Sequence, residues 1–235
     1  MSLSLYIETA IAADLETVWR RTRDAELHRR WDLRFTGIAD LDGEREEAQR
    51  FTYTTRLLPG VALTGTGATT AERTRADGTR ISALRFGSAH ALSPIAHGAG
   101  HWRYTPRAGG VEFATAYHYR TRWGRAGRML DAALLAPLMG WATAWSFDRL
   151  RLWCERGDSP ERLRTAALCD AGARAAAVAA GLVWLPGWAG AAVVAAALLL
   201  PPPPMVPAAR RCRRRPRPRG GTGAPAPAAT GGGGR

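Results

Sequence analysis

Lysine is absent from this chain of 235 residues, so all 33 of its basic residues are arginine. With the high content of Ala, Gly and Pro, this indicates GC-rich codons, and codon bias then accounts for part of the net charge of +13. The charge is also uneven, because residues 1–157 hold 22 Arg against 17 acids whereas residues 158–235 hold 11 Arg against 3. The basicity lies largely in the C-terminal part and gives weak support to nucleic-acid binding.

Cysteine is scarce, and Cys154, Cys169 and Cys212 are widely spaced without a CxxC or Cys/His grouping. An odd number at such spacing argues against a disulfide framework and predicts no metal site, which fits a reducing compartment. The glycines of PGVALTGTG (Gly60, Gly65 and Gly67) are not followed by the GK[ST] of a phosphate loop. We therefore expect a turn or sheet bend there, and no cofactor.

The N-terminus lacks the features of a signal peptide. It has acids where a basic start is needed, and it has no continuous apolar run of sufficient length. We expect the first part of the chain to stay in the cytosol.

Composition divides the chain into three parts. Residues 1–157 have ordinary mixed sequence, enough for one domain of about 150 residues. Residues 158–209 form a linker followed by a nearly all-apolar stretch, and residues 210–235 are Arg-rich and then Gly/Pro/Ala-rich, which predicts a disordered tail.

The first part alternates like a series of strands framed by helices. Residues 3–11 predict a strand, Asp14 is placed to cap a helix, and residues 24–31 predict a second short helix. The turn signals Asp42-Gly43, Pro59-Gly60, Asp77-Gly78 and Gly109-Gly110 then separate six further strand segments, which are 33–41, 48–57, 61–73, 79–87, 97–105 and 110–123.

A long amphipathic helix is predicted over residues 126–156, with a kink or break near Ala136 because Pro137 interrupts it. The only element left to cover the apolar face of the sheet is this helix. The sequence therefore predicts an α+β fold in which a curved antiparallel sheet of about seven strands wraps around the C-terminal helix. One helix cannot fill the concave face, so we expect a cavity.

This order of elements, with Ile11, Ala13, Val18 and Trp19 in an early IxAxxxxVW stretch, Trp31 in RRWDLRF and the closing helix WATAWSFDRLRLW, resembles the START-like (SRPBCC) superfamily. That superfamily includes polyketide cyclases and aromatases, lipid-transfer domains and coenzyme Q-binding proteins. The resemblance covers residues 1–157 and implies a helix-grip fold with a deep hydrophobic cavity. It implies ligand binding without naming the ligand.

Strand parity and helical phase direct a set of aromatic side chains toward the expected cavity. Each of them fits either the lining of a ligand site or plain core packing. They are Phe51, Tyr53, Phe86, Trp102, Tyr104, Tyr117, Tyr119, Trp141 and Trp145.

The polar candidates show no pairing of a base with an orienting acid, so we assign no catalytic residue. These candidates are Asp32, Arg34, Arg85, His97, His101, Arg103 and His118. We expect a local ion pair between Asp32 and Arg34, a solvated His118, and pairing of Asp148 on the closing helix with a nearby Arg.

An apolar hairpin is predicted after the domain. Residues 175–209 are uncharged, and the stretch reaches back to Ala166 if Asp170 and Arg174 neutralise each other. Arms at about 166–185 and 188–206, with a turn at 184–188, would each approach the roughly 20 residues that span hydrocarbon. A flexible Ala/Pro-rich linker is the alternative.

Charge favours two crossings over one, because the hairpin leaves both the signal-less domain and the tail on the cytoplasmic side. The seven Arg of residues 210–219 would then meet anionic headgroups. We expect no specific nucleic acid, since the Arg run has no interleaved aromatic residues.

The sequence thus favours a membrane-associated, non-catalytic protein that binds or transports a hydrophobic small molecule or lipid. The alternatives are a polyketide cyclase/dehydratase-type enzyme that uses the same cavity, and an adaptor in which the cavity is incidental.

Overall fold

The computed structural model describes residues 3–41, 50–58 and 61–216. One antiparallel sheet contains all seven named strands, in the order β1-β7-β6-β5-β4-β3-β2. The strands are β1 (Leu3–Ile11), β2 (Gly37–Asp40), β3 (Arg50–Leu58), β4 (Val61–Thr74), β5 (Arg80–Gly87), β6 (Ile95–Arg107) and β7 (Gly110–Thr121). The predicted helix-grip arrangement is confirmed, although β2 is much shorter than the predicted segment 33–41.

Two short helices, α1 (Leu15–Arg23) and α2 (Ala25–Trp31), connect β1 to the rest of the sheet. Asp14 caps the first through the backbone N–H of Thr17, and Asp24 caps the second through that of Leu27. These caps satisfy amides that have no partner within a helix. The predicted turns at Asp42-Gly43 and Pro59-Gly60 lie outside the described residues.

The predicted helix 126–156 consists of two helices with a π-helical turn between them. α3 (Gly124–Leu130) leads into the π turn Asp131–Leu135, and α4 (Ala136–Arg156) follows. The chain stays helical through Ala136, so the expected irregularity takes the form of the π turn, which ends at Leu135, two residues before Pro137.

The core lies between α4, the two short helices and the β1-β7-β6 half of the sheet. Its fully buried side chains include Trp31, Tyr104, Phe113, Phe147 and Leu150. Phe113 stacks on Phe147 at 4.5 Å and on Tyr104 at 4.9 Å, which joins β7 to α4 and β6. The opposite half of the sheet is left without a helix that fills its concave face.

A helical hairpin follows the domain. α5 (Pro160–Val183) and α6 (Gly187–Leu199) pack against each other, and Trp184–Pro186 form the turn, close to the predicted one. The second arm is shorter than predicted, because the helix ends at Leu199, before Pro201–Pro204, rather than at 206.

The chain then returns to the domain, which corrects the predicted boundary at residue 210. Arg213 forms an antiparallel bridge with Glu8 on the edge strand β1, and Ala209 and Cys212 join the core. Asp148 on α4 accepts hydrogen bonds from Ala208 N at 2.8 Å and from Arg211 at 3.0 Å. Residues 206–213 thus belong to the folded domain, not to a separate tail.

Candidate ligand-binding cavity

A cavity of about 620 Å³ lies between the concave face of the sheet and the segment running from α3 into α4. Its wall is mostly apolar and includes residues of α2, of every strand from β2 to β7, and of Leu130–Ala142. This volume falls within the usual range of sites for small organic molecules, roughly 300–1,000 Å³.

Six of the nine aromatic residues predicted from parity line this cavity. They are Phe51, Tyr53, Phe86, Trp102, Tyr117 and Trp141. The five that lie on strands share a position because alternate residues of neighbouring strands point to one face of the sheet, and Trp141 faces them from α4.

Glycines on the same face leave room for these rings. A Cβ added at Gly65 would collide with the ring of Tyr53, one at Gly67 with Phe51, and one at Gly98 with Phe86. Each ring therefore lies low over a glycine of the next strand instead of standing up into the cavity. Gly65 and Gly67 lie within β4, so they provide this clearance, and the expected turn does not fall on them.

The opening of the cavity is lined by exposed apolar side chains. Leu130, Leu134, Leu138 and Trp141 follow one another at three or four residues and are 43–57 % exposed. These side chains come from the α3-to-α4 segment, where the π turn shifts the phase of the helix. Such an exposed apolar stripe is typical of a site that receives an apolar molecule or surface.

A buried ion pair provides the polar end of the cavity. Arg34 donates from Nε to Asp32 Oδ1 at 2.9 Å and from Nη2 to Asp32 Oδ2 at 2.6 Å. His28 Nε2 lies 3.1 Å from Asp32 Oδ2, and both His28 and Arg34 line the cavity. The expected Asp32–Arg34 pair is present, whereas His28 was not among the sequence candidates.

Burial would raise the pKa of Asp32, but the charge and hydrogen bonds of Arg34 and His28 hold that pKa well below its ordinary value. Burial would likewise lower the pKa of Arg34, and Asp32 outweighs it, so the arginine pKa rises. The pair is therefore ionised and nearly neutral as a unit. A bidentate geometry of this kind is what makes a buried pair tolerable.

Tyr117 borders the same polar end. Its hydroxyl lies 3.3 Å from Thr143 Oγ1 on α4, and Thr143 Oγ1 donates to Met139 O, so the tyrosine is the donor in that contact. Tyr117 then offers an oxygen lone pair toward Arg34, whose guanidinium lies 6.0 Å from the tyrosine ring.

Three of the predicted aromatic residues do not line the cavity. Tyr104 is fully buried beneath α1, where its hydroxyl meets Thr22 Oγ1 at 2.8 Å. Tyr119 donates to Asp131 Oδ1 at 2.7 Å and is packed near the π turn. Trp145 is 9 % exposed and belongs to the core cluster. The lining prediction is wrong for these three, because they are covered by helices whose crossing points local patterns do not reveal.

Most remaining polar candidates lie on the outer face of the sheet. Arg85, His97 and His118 are exposed in an outer groove of about 710 Å³, and His118 is solvated as predicted. Arg103 pairs with Glu112 on the same face. His101, in contrast, is among the residues that line the cavity, and burial followed by the charge of Arg103 lowers its pKa. Asp148 pairs with Arg151 and Arg211.

No cluster of three or more His, Cys, Asp or Glu side chains suited to a metal ion occurs within residues 3–41, 50–58 and 61–216. The feature that sequence reasoning missed is His28, which lies in a short charged helix. The spacing of Leu130, Leu134 and Leu138 predicts an apolar helix face, but not that these side chains are about half exposed at the opening.

The fold and the cavity define a helix-grip domain with an internal hydrophobic site. The match to the family model agrees: residues 3–152 fit the polyketide cyclase/dehydrase and lipid transport family. The chain belongs to this family.

A curated relative, the uncharacterized membrane protein YndG of Bacillus subtilis, is 44% identical over 165 residues, which is 70% of this chain. The matched part spans 62% of that relative.

Among solved structures, the ZhuI aromatase/cyclase from Streptomyces sp. R1128 has a TM-score of 0.50 at 15% identity, over 68% of this chain and 99% of that one. The hypothetical protein jhp0584 from Helicobacter pylori has a TM-score of 0.51 at 12% identity, over 66% and 88%. At these identities the likeness shows the fold alone.

Proposed function

We propose that this protein binds or transports a hydrophobic small molecule or lipid, without catalysis, in the cavity of a domain held at a membrane. The observation that carries the proposal is the largely apolar cavity of about 620 Å³ with its opening lined by exposed leucines. Membership of a family that includes lipid transport supports a hydrophobic ligand at the coarse level.

The polar end of the cavity narrows the class of ligand. Asp32 occupies Nε and Nη2 of Arg34, which leaves Nη1 and the Tyr117 side to interact with a guest. Because Asp32 already neutralises Arg34, the charge of a buried anionic headgroup would be left uncompensated. An uncharged acceptor, such as a ketone, quinone or ester carbonyl on an apolar body, fits better.

Native mass spectrometry of the full chain in detergent tests the proposal first, with co-purified small molecules as the readout.

A second test titrates naphthoquinone and naphthalene, which share a ring skeleton and differ in their carbonyls. We expect the quinone to bind at least about tenfold more tightly, since a hydrogen bond to a charged donor contributes about 1.5–3 kcal/mol. Replacing both members of the pair, Asp32→Leu with Arg34→Met, should remove that preference without leaving a buried unpaired charge. Equal binding of both compounds would remove the carbonyl assignment.

The enzyme alternative is favoured by one observation, the contact between His28 and Asp32 inside the cavity. A base held by an acid is the arrangement needed for proton abstraction next to a carbonyl. A cyclase would remove that proton, join the resulting carbon to a second carbonyl and release water.

A linear poly-β-ketone incubated with the wild type and with His28→Gln separates the two functions. Cyclised product formed by the wild type and lost in the variant would establish the enzyme. Binding without turnover supports the carrier.

Support for membrane attachment comes from the relative's name and from α5, in which an 18-residue window has a mean hydropathy of 1.4 and is almost unburied. We place the domain and the Arg-rich tail on the cytoplasmic side, as charge distribution favours. Flotation of the full chain with vesicles of phosphatidylcholine and phosphatidylglycerol tests attachment, and failure to float would end this part of the proposal.

A further inference from the structure

The hairpin exposes apolar side chains all around its free end. Leu182, Trp184 and Trp188 are 72–84 % exposed, and Leu198 and Leu199 are 69 and 77 % exposed at the other end of α6. The two helices approach closely where Gly181 meets Gly190. A helix pair that is apolar on every face loses its contact with water only by inserting into the hydrocarbon of a membrane. If it lay flat on the membrane surface, one apolar side would remain in water.

An arginine fixes where the polar part of this hairpin begins. Arg174 on α5 pairs with Asp170 at 2.8 Å and donates from Nη1 to the carbonyls of Ala197 at 2.7 Å and Leu200 at 2.9 Å. Those carbonyls belong to the C-terminal turn of α6, where backbone C=O groups have no hydrogen-bond donor within the helix. The end of α6 therefore lies level with a charged pair on α5.

A second arginine ties the next residues to the domain. Arg211 donates from Nη2 to the carbonyls of Pro202 at 3.1 Å and Pro203 at 2.9 Å, while its Nη1 reaches the buried Asp148. The chain thus returns to the domain surface within four residues of the end of α6. The base of the hairpin is the end that meets the domain, and its first arm begins there at Pro160. Arg149 donates a hydrogen bond to the carbonyl of Pro160 at 2.8 Å.

These ties limit the apolar reach of the hairpin. α6 has 13 residues and is therefore about 20 Å long at the helical rise. The part of α5 between Arg174 and the turn is about 15 Å long. The hydrocarbon of a bilayer is about 30 Å thick, so one leaflet accounts for about 15 Å. Complete crossing would draw the Arg174–Asp170 pair and the ends of the prolyl segment into hydrocarbon, where unsatisfied backbone groups are costly.

We propose that the hairpin enters the hydrocarbon of a single leaflet and does not cross the bilayer, an inference that rests on the membrane attachment proposed above. Arg162, Arg164 and Arg210 are exposed at its base and have no ion pair within the described part of the chain. They lie where anionic headgroups would meet the protein, each contributing about 1 kcal/mol near such a surface.

Two matched substitutions on α5 test the depth of insertion. Leu182 and Leu168 are 72 and 66 % exposed on the same helix, on opposite sides of Arg174. We expect Leu182→Glu to weaken partition into phosphatidylcholine/phosphatidylglycerol vesicles about tenfold or more, since a charge in hydrocarbon is costly, and Leu168→Glu to change it less than about twofold. Equal losses in both variants would mean that α5 spans the membrane. Both side chains are largely exposed, so we expect the two variants to have the same unfolding temperature in solution.

Topology gives an independent readout. The full chain carrying Trp184→Cys is added to vesicles that contain a trapped, membrane-impermeant thiol reagent, and Arg162→Cys serves as the control at the base. We expect no labelling of residue 184 from the lumen or the outside until detergent is added, and labelling of residue 162 from outside. Labelling from the lumen would contradict single-leaflet insertion while leaving attachment intact, and loss of flotation would instead contradict attachment itself.

Discussion

At the scale of single residues, the polar end of the cavity depends on one carboxylate. Asp32 is 2 % exposed and takes hydrogen bonds from Arg34 and His28, so a charged guanidinium is kept inside an apolar wall only by its partner. Removing one member of such a pair lowers the free energy of unfolding by more than the intact pair contributes to it, because the other charge stays buried without a partner.

We therefore expect Asp32→Asn to destabilise the protein by about 3–5 kcal/mol. Since the folded-state pKa of Asp32 is depressed, its stabilisation is complete above the unfolded value of about 3.9 and falls as the pH drops toward the folded pKa. Urea unfolding at several pH values should show a constant gap between wild type and variant from neutral pH to about pH 5, narrowing below about pH 4. A gap that closes near neutral pH would contradict the ionised pair.

Two tryptophans of α4 occupy different environments, one in the packed core and one at the opening of the cavity. Trp145 belongs to the core cluster and Trp141 is 44 % exposed at the cavity opening, although the two rings stack at a centroid distance of 6.5 Å. We expect Trp145→Ala to cost about 3–5 kcal/mol, as large-to-small changes do in packed interiors, and Trp141→Ala clearly less. Binding of an apolar reporter dye should change mainly in Trp141→Ala. The reverse order would place the binding site elsewhere.

At the scale of elements, alternation along the strands predicted which rings face inward, and that part of the fold followed from the sequence. It could not distinguish Trp102, which lines the cavity, from Tyr104, two residues further along the same face. The difference arises from α1, which crosses over Tyr104 and brings Thr22 to its hydroxyl. His28 precedes Asp32 by four residues, so helical spacing accounts for their contact. What escaped prediction is that α2 presents His28 to the cavity.

The glycines under the cavity rings give a test at this scale. The three atoms nearest to a Cβ at Gly67 all belong to the Phe51 ring, so the ring has to move toward the cavity. We expect Gly67→Ala to destabilise by about 1–3 kcal/mol, as overpacking does, and to weaken dye binding severalfold. Adding Phe51→Ala should restore binding, because the space under the added methyl group is then free. Unchanged binding in the single variant would show that the cavity does not depend on these glycines.

At the scale of the whole molecule, composition predicted three parts of the chain and gave no sign that the chain returns to the domain after the hairpin. Residues 210–216 look like a disordered basic tail because their partners, Asp148 and Glu8, lie about 60 residues or more away in the sequence. Long-range pairing of this kind leaves no local periodicity. The consequence is that α4 holds the hairpin at both bases, so the hairpin is fixed relative to the cavity.

This return predicts that the domain boundary matters for stability. A fragment of residues 1–157 lacks Ala208, Arg211 and Cys212, which leaves Asp148 with fewer donors and uncovers Ala144, the acceptor of the Cys212 thiol at 3.1 Å. The comparison is a chain in which residues 175–196 are replaced by a short Gly/Ser linker, since Arg174 and Ala197 lie side by side. We expect both proteins to be soluble and to unfold cooperatively, with the 1–157 fragment less stable by about 2–4 kcal/mol in urea, because an ion pair and several buried contacts are lost. Arg211→Ala in the linker protein should reproduce part of that loss. Equal unfolding midpoints would mean that residues 206–213 rest on the domain without stabilising it, and that the core is complete at residue 157.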